Sequence, residues 1–287
     1  MTQEELNEVL ENHQHYLKKD CEGWEYMCAN LSRIDLSGMD FSGVDLSDAF
    51  FYKVNLEGAN FERTNLSGAL LERTYLGEAN LSCANLYKAS LEKTYLRGAS
   101  LRGANLTEAN LYKAKLIEVD FTDAKLYEVN FKEANLSGVD FDGAELNYSC
   151  MEGADLSDAN LNNANLEGVN LYKANLMRTD LTGANLERAD LSYADLSEAN
   201  LSDSNLHKAS LLRAELIFTN LVGVNLEGAN LEVANLSGAN LEGANLSDAN
   251  LEGAILCEAN LSEASLVNAK LNGVNLKNAD TTDTVFK

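Results

Sequence analysis

A five-residue period dominates this chain and limits what it can fold into. From Leu31 to Leu276 every fifth residue is Leu, Phe or Met, over fifty consecutive positions. We call these residues the centres. The residue two positions before a centre is small, most often Ala, and the residue directly before it is usually Asn or Asp. The stretch GANLEGANLSDANLEGA, residues 238–254, shows the pattern without interruption.

This period excludes a helical array. A helix turns by about 100° per residue, so a five-residue step would spread the centres over every face. In an extended segment, residues two apart point to the same side. The small residue and the centre therefore both point inward, and the remaining residues turn the chain. Repetition of this unit predicts a solenoid with a leucine core.

The pattern A-[ND]-L-x-x, which covers residues 29–278, closely resembles the pentapeptide-repeat family. The resemblance implies an all-β solenoid, a right-handed quadrilateral β-helix with four pentapeptides per coil and about 12 to 13 coils in this chain. A 20-residue recurrence in the sequence favours four repeats per coil, because Tyr75 and Tyr95 are separated by this spacing, as are Phe41 and Phe61.

The domain organisation follows from where the repeat runs. Residues 1–28 are predicted to form a capping helix and lead-in, and residues 29–287 a single continuous β-helix. Within residues 2–19, apolar residues fall on one helical face, which predicts a helix that covers the first coil. No helix is predicted after the last coil. Because several relatives dimerise through this end, the resemblance implies a homodimer through the C-terminal end.

Composition narrows the functional classes. The net charge of −23 disfavours binding of duplex DNA. No apolar run is long enough to span a membrane, and the N-terminus lacks a signal-peptide core. The five cysteines form no C-x-x-C pair, which is typical of reduced thiols. We therefore predict a cytoplasmic protein without membrane association, cofactor or metal.

Catalysis is not predicted. His13, His15 and His207 form no arrangement with a nucleophile, and His13 is interpreted as a packed helix residue. A flat-sided solenoid without inserted loops offers no cleft for a reaction. The sequence therefore predicts a non-enzymatic protein that acts through its surfaces.

Charge is distributed unevenly over the four sides of the coil. Side 1, with centres Leu31, Phe51 and every twentieth residue onward, has nine basic and seven acidic residues, a net charge of +2. Side 3, with centres Phe41, Phe61 and onward, has two basic and twelve acidic residues, a net charge of −10. The opposite sides of the coil are thus predicted to differ strongly in charge.

Side 1 carries a repeated basic position, two residues after the centre. We call this group the cationic column: Arg33, Lys53, Arg73, Lys93 and Lys113. Three tyrosines share the side at intervals of three coils: Tyr52, Tyr112 and Tyr172. Together they predict a docking stripe for an acidic partner. Single-stranded nucleic acid suits cations with aromatics, but the net charge opposes it, and duplication of coils is the alternative explanation.

Side 3 carries the acidic set: Asp40, Asp120, Asp123, Asp140, Asp142, Asp180, Asp203 and Glu242. Relatives that protect DNA gyrase from quinolones are acidic rods proposed to imitate DNA, so the resemblance implies a type II topoisomerase as a possible partner. Duplex DNA carries about one charge per 1.7 Å, roughly 35 over an array of about 60 Å. The repeats have at most about half this density, which favours solubility as the role of the acidic residues.

Five apolar residues occupy variable positions that are polar in most repeats. We call them the apolar set: Leu212, Ile217, Phe218, Val222 and Val233. Contiguous exposed apolar residues are typical of interaction sites, so this set predicts a protein interface. Three classes remain open: a scaffold that binds an unidentified protein, a DNA mimic acting on gyrase, and a purely structural rod.

Overall fold

The computed structural model describes residues 3–286, and Met1, Thr2 and Lys287 lie outside the described residues. The chain divides into two compact units, Met1–Asn135 and Leu136–Lys287. Repeated coils make up the second unit and most of the first. The predicted boundary between residues 28 and 29 stays a prediction.

The first unit begins with a single α-helix, α1, Gln3–Lys18. The predicted N-terminal helix is thus confirmed, with its first predicted residue, Thr2, outside the described part. Leu6 and His13 are fully buried, and the Gln14 side-chain amide donates a hydrogen bond to the carbonyl oxygen of Asp45 at 3.3 Å. A short 3-10 helix, Trp24–Tyr26, follows. α1 therefore lies against the first coil. Within residues 3–286 no helix is long and apolar enough to cross a membrane.

The coils are held by single parallel bridges, with no extended strand among the described residues. In the first unit the bridges run from Asn30↔Phe50 to Lys115↔Asn135, and in the second from Asp140↔Asn160 to Ser265↔Val285. Each bridge joins the residue before one centre to the equivalent residue twenty positions later. The backbone bonds follow the same step, since the Leu56 N–H donates to the carbonyl oxygen of Tyr75 at 2.7 Å. Four repeats per coil are confirmed within each unit.

A tight turn follows every centre and forms a corner of the coil. The Ala59 N–H donates to the carbonyl oxygen of Leu56 at 3.0 Å, which closes a four-residue turn. The second residue after the centre has a positive φ, 65° at Gly58 and 57° at Lys53, as a type II turn requires. We number the corners 1 to 4 by the side that precedes them. Residues 52–53, 57–58, 62–63 and 67–68 are corners 1 to 4 of one coil.

The core consists of the centres and the small residues, which are buried through most of both units. The rings of Phe41 and Phe61 stack at 4.8 Å between centroids, and Phe51 meets Phe61 edge-on at 6.2 Å. Where Thr replaces the small Ala, its buried hydroxyl is satisfied: Thr64 Oγ1 donates to the carbonyl oxygen of Phe41 at 2.7 Å. Inward positions are therefore set by size and by hydrogen bonding.

His13 makes the attachment of α1 sensitive to acid. The Ala29 N–H donates to His13 Nδ1 at 3.1 Å, so this nitrogen must be unprotonated. Burial lowers the pKa of His13 from its usual 6.5, and the charges of Asp45 and Asp48 oppose this only partly. A lowered pKa in the folded state means that the stabilisation is complete above about pH 6.5 and is lost as the pH falls below it.

We expect wild-type protein to lose free energy of unfolding between pH 7.5 and pH 5.5 through His13. His13→Gln keeps an acceptor for the Ala29 N–H but does not titrate, so it isolates this effect from the carboxylates. Fluorescence of Trp24, which packs on Tyr16 at 6.0 Å between ring centroids, reports the docking of α1. Equal pH dependence of the two proteins would contradict the assignment.

Candidate binding surfaces

The cationic column lies along corner 1 of the first unit. Its five residues all have positive φ, between 57° and 63°, so their side chains project from the turn. The neighbouring tyrosines face these cations: Lys53 Nζ lies 5.1 Å from the ring centroid of Tyr52, and Lys113 Nζ lies 4.9 Å from that of Tyr112. The structure thus brings Tyr52 and Tyr112 into contact with the column through cation–π pairs.

A second column runs beside the first, on the flat face of side 2. Parallel bridges join Tyr75 to Tyr95 and Tyr95 to Lys115. The two tyrosine rings stack at 4.9 Å with an angle of 12° between planes. The two columns enclose a surface groove of about 370 Å³, lined by Lys53, Arg73, Tyr75, Lys93, Tyr95, Lys113 and Lys115. We call it the cationic groove.

Positive charge in the cationic groove is only partly balanced. Lys93 pairs with Glu92 at 2.6 Å and Lys113 with Glu133 at 3.0 Å. Within residues 3–286, no carboxylate oxygen lies within 4.0 Å of the charged nitrogens of Lys53, Arg73 or Lys115.

The same cations also act on the neighbouring Tyr52 phenol. Hydrogen bonding to Lys53 lowers its pKa below the usual 10.0, and the charges of Lys53, Arg73 and Arg33 lower it further. The groove is therefore a region of positive potential.

Tyr172 belongs to the second unit and also lies at corner 1. Lys173 Nζ is 5.1 Å from its ring centroid, and Tyr193 meets it edge-on at 5.5 Å. The Arg213 guanidinium lies 5.9 Å from the Tyr193 ring. The second unit thus carries its own pairing of tyrosines with cations at this corner.

The apolar set is spread over three corners of the second unit. Leu212 and Val233 lie at corner 1, Ile217 and Phe218 at corner 2, and Val222 at corner 3. Phe218 is 67% exposed and Val233 is 45% exposed, whereas Leu212, Ile217 and Val222 are half-buried. Phe218 and Val233 also have positive φ, 56° and 58°. The strongest apolar projections are therefore two turn residues.

The acidic set divides into two structural groups. Asp40, Asp120, Asp140 and Asp180 precede a centre and accept a hydrogen bond from the N–H two residues later, at 2.9 to 3.1 Å. Hydrogen bonds from Ser42 lower the pKa of Asp40. Asp123, Asp142, Asp203 and Glu242 lie at corner 3 instead. Half of the set therefore has a role in the fold itself.

One further cluster combines residue types that can bind a metal ion. His15, Asp20 and Cys21 place their ligand atoms within 4.8 Å of one another, the single such cluster in residues 3–286. His15 Nδ1 and Asp20 Oδ1 form a hydrogen bond of 2.7 Å, and both residues are exposed. This pairing accounts for their proximity, and we assign no metal to it.

Comparison with known sequences and structures decides the family. The family model described as "Pentapeptide repeats (8 copies)" matches residues 27–63, 59–98, 159–196, 194–232, 209–248, 234–273 and 244–283. A second, "Pentapeptide repeat region", matches residues 98–171. The chain belongs to the pentapeptide-repeat family.

Solved pentapeptide-repeat proteins are similar to this chain. HetL, a pentapeptide repeat protein involved in heterocyst differentiation regulation from the cyanobacterium Nostoc sp. strain PCC 7120, is 33% identical; the alignment covers 94% of this chain and 93% of HetL, with a TM-score of 0.22. Rfr23 from the cyanobacterium Cyanothece 51142 is 45% identical over 34% of this chain and 64% of its own, with a TM-score of 0.24.

The full-length fluoroquinolone resistance protein QnrB1, which is plasmid-mediated, is 17% identical over 86% of this chain and 92% of its own, with a TM-score of 0.28. The comparison with curated proteins gave no match. Pentapeptide-repeat proteins form right-handed quadrilateral β-helices, and the coils of each unit have this architecture.

Sequence reasoning missed one part of the cationic groove. It placed the cationic column on side 1, used Tyr75 and Tyr95 as evidence for the 20-residue spacing, and did not select Lys115. In the pentapeptide-repeat coil, corner 1 is directly followed by the flat face of side 2, where all three residues lie. The signal was available, because these residues are only two positions beyond Arg73, Lys93 and Lys113 in the chain.

Proposed function

We propose that this chain is a non-enzymatic scaffold that binds a protein partner through exposed corners of its second unit. The observation that carries the proposal is the placement of Phe218 and Val233. Both are exposed apolar side chains held in the left-handed backbone region.

The turn itself does not favour Phe or Val at these positions. A residue other than glycine in the left-handed region costs on the order of 1 kcal/mol, and a β-branched residue is least suited to it. Glycine occupies the equivalent turn position in neighbouring repeats, for example Gly238 and Gly253. Polar residues such as Lys208 and Arg213 adopt the same backbone in other turns, so it is the exposed apolar side chain that sets the Phe and the Val apart. An apolar contact with another protein gives a reason for Phe and Val here.

Leu212 and Ile217 add apolar surface beside Val233 and Phe218. Leu212 lies at the same corner as Val233, and Ile217 directly precedes Phe218. An aromatic residue such as Phe218 is typical of the apolar centre of an interface, and neighbouring apolar residues exclude water around it. Val222, at corner 3, lies at the edge of this surface.

The test removes the side chains and keeps the turns. Phe218→Gly with Val233→Gly suits the backbone at both positions, so the free energy of unfolding should stay within about 1 kcal/mol of wild type. Quantitative affinity capture from the native host, with the full chain as bait, should show a partner bound by wild type and lost from the double variant.

Tyr148→Gly is the matched control, since Tyr148 is also an exposed aromatic residue with positive φ, 59°, but lies at corner 4. This variant should retain the partner. If the double variant captured the same proteins in the same amounts as wild type, these corners would be ordinary surface and the proposal would fail.

The acidic set supports a second candidate, a DNA mimic that acts on DNA gyrase. Asp123 in the first unit and Asp203 in the second each project from corner 3 of their own coil with a φ of 57°, and the side 3 repeats of the sequence sum to a net charge of −10. A supercoiling assay with and without quinolone tests it. If micromolar protein neither inhibited supercoiling nor protected gyrase from quinolone, the DNA-mimic candidate would be rejected. The scaffold and the structural rod would then remain.

A further inference from the structure

The cationic groove of the first unit concentrates positive charge in a way that the fold does not require. Neighbouring coils are about 4.8 Å apart, so Lys53, Arg73, Lys93 and Lys113 follow one another at about this spacing. Like charges on adjacent strands are destabilising. Lys115 adds a fifth cation from the neighbouring face. Among the described residues, three of these five cations have no carboxylate oxygen within 4.0 Å of their charged nitrogens. A bound anion would relieve this repulsion.

The size of the groove favours a compact ligand. Its volume of about 370 Å³ lies at the lower end of the range for small-molecule sites, about 300–1,000 Å³. A stable macromolecular interface covers about 800 Å² on each partner and would extend well beyond the groove. The four residues of the cationic column that line the groove run from Lys53 to Lys113, which is three coil steps or about 14 Å.

The charge of the whole chain points the same way. At a net charge of −23, a long polyanion would bring its outer charges against acidic surface, whereas a short anion would interact with the groove alone. Five cations in this space suit a ligand that carries several negative charges on few atoms. A linear phosphate chain is such a ligand, since each phosphate carries negative charge and several strong acceptor oxygens.

The side chains of the groove are typical phosphate ligands. Lys binds phosphate as a point charge, and Arg binds it through two parallel N–H donors. Tyr75 and Tyr95 are about half exposed, at 50% and 45%, and a phenol hydroxyl group can also donate a hydrogen bond to a phosphate oxygen.

We propose that the cationic groove binds a compact polyphosphate chain, either as inorganic tripolyphosphate or as the triphosphate of a nucleotide. Arg73 and Lys93, at the middle of the groove, contact the phosphate oxygens, and Lys53, Lys113 and Lys115 surround them. The site lies in the first unit and involves none of the residues of the proposed protein interface, so the two proposals are tested separately.

The experiment compares two double variants of the full chain. Arg73→Gly with Lys93→Gly removes two charges from the groove, and glycine suits the φ of 57° at both positions. Lys173→Gly with Lys208→Gly makes the same change in net charge at equivalent turn positions, with φ of 58° and 57°, in the second unit. Circular dichroism and thermal unfolding should show the same fold in all three proteins.

Isothermal titration uses sodium tripolyphosphate, ATP and AMP without magnesium. We expect wild type to bind tripolyphosphate and ATP, with AMP weaker by at least tenfold. The groove variant should bind both at least tenfold more weakly, and the control variant within about twofold of wild type. Equal affinities for tripolyphosphate and ATP identify the phosphate chain as the recognised group, and tighter binding of ATP adds the nucleoside; both support the site.

Three results would overturn the proposal. The first is no binding of either polyphosphate at millimolar concentration. The second is equal weakening in the groove and control variants, which would indicate an unspecific effect of net charge. The third is binding of a single-stranded oligonucleotide or an acidic peptide where tripolyphosphate and ATP fail, because the groove would then recognise an extended polymer.

Discussion

Phe61→Ala should lower the free energy of unfolding by about 3–5 kcal/mol, the usual cost of removing a buried phenylalanine ring. Phe61 is fully buried. Its ring stacks on Phe41 at 4.8 Å and meets Phe51 edge-on at 6.2 Å. The parallel bridges fix the spacing of the coils, so the neighbouring rings are poorly able to close the cavity. Urea unfolding followed by circular dichroism measures the change.

Two other variants make this prediction specific. Phe50→Ala truncates a ring that is 41% exposed, so we expect a loss of about 1 kcal/mol or less. Phe61→Leu places the commonest centre residue at the site and should cost clearly less than alanine. A small effect of Phe61→Ala, equal to that of Phe50→Ala, would show that this part of the core is loosely packed.

The fold could be predicted from the sequence because one periodic signal sets three things: which residues point inward, how many residues form a coil, and on which side of the coil each repeat lies. The centres and the small residues are buried as the two-residue spacing predicts, and the pairs Phe41–Phe61 and Tyr75–Tyr95 stack as the 20-residue step predicts. The N-terminal helix was found from an ordinary helical pattern. The handedness came from the family alone, since a period has no hand.

Binding surfaces were less predictable because they depend on which corner lies beside which face. Tyr95 and Lys113 belong to different repeats and different sides, and a sequence sorted by side separates them. The structure places them in one groove. The division of the acidic set was also hidden, because Asp40 and Asp123 look alike in a charge count, although one accepts hydrogen bonds within the coil and the other projects from a corner.

Asn185→Ala should lower the free energy of unfolding by about 2–3 kcal/mol, because it removes three hydrogen bonds worth about 1 kcal/mol each. Asn185 Nδ2 donates to Asn165 Oδ1 at 3.0 Å. Its Oδ1 accepts from Asn205 Nδ2 at 3.1 Å and from the Glu187 N–H at 3.2 Å. The side chain thus joins three successive coils and fixes the turn that follows.

Asn185→Asp separates these two roles. A carboxylate still accepts from the Glu187 N–H and from Asn205, as Asp40 accepts from Ser42 and Asn60 at 3.0 Å each. It has no proton for Asn165, so we expect a loss of about 1 kcal/mol, between wild type and alanine. Chemical unfolding of the three proteins measures the order. If alanine and aspartate lowered the free energy of unfolding equally, the bond from Asn185 Nδ2 to Asn165 Oδ1 would account for the whole contribution of the side chain. If neither lowered it, the backbone bridges alone would hold these coils together.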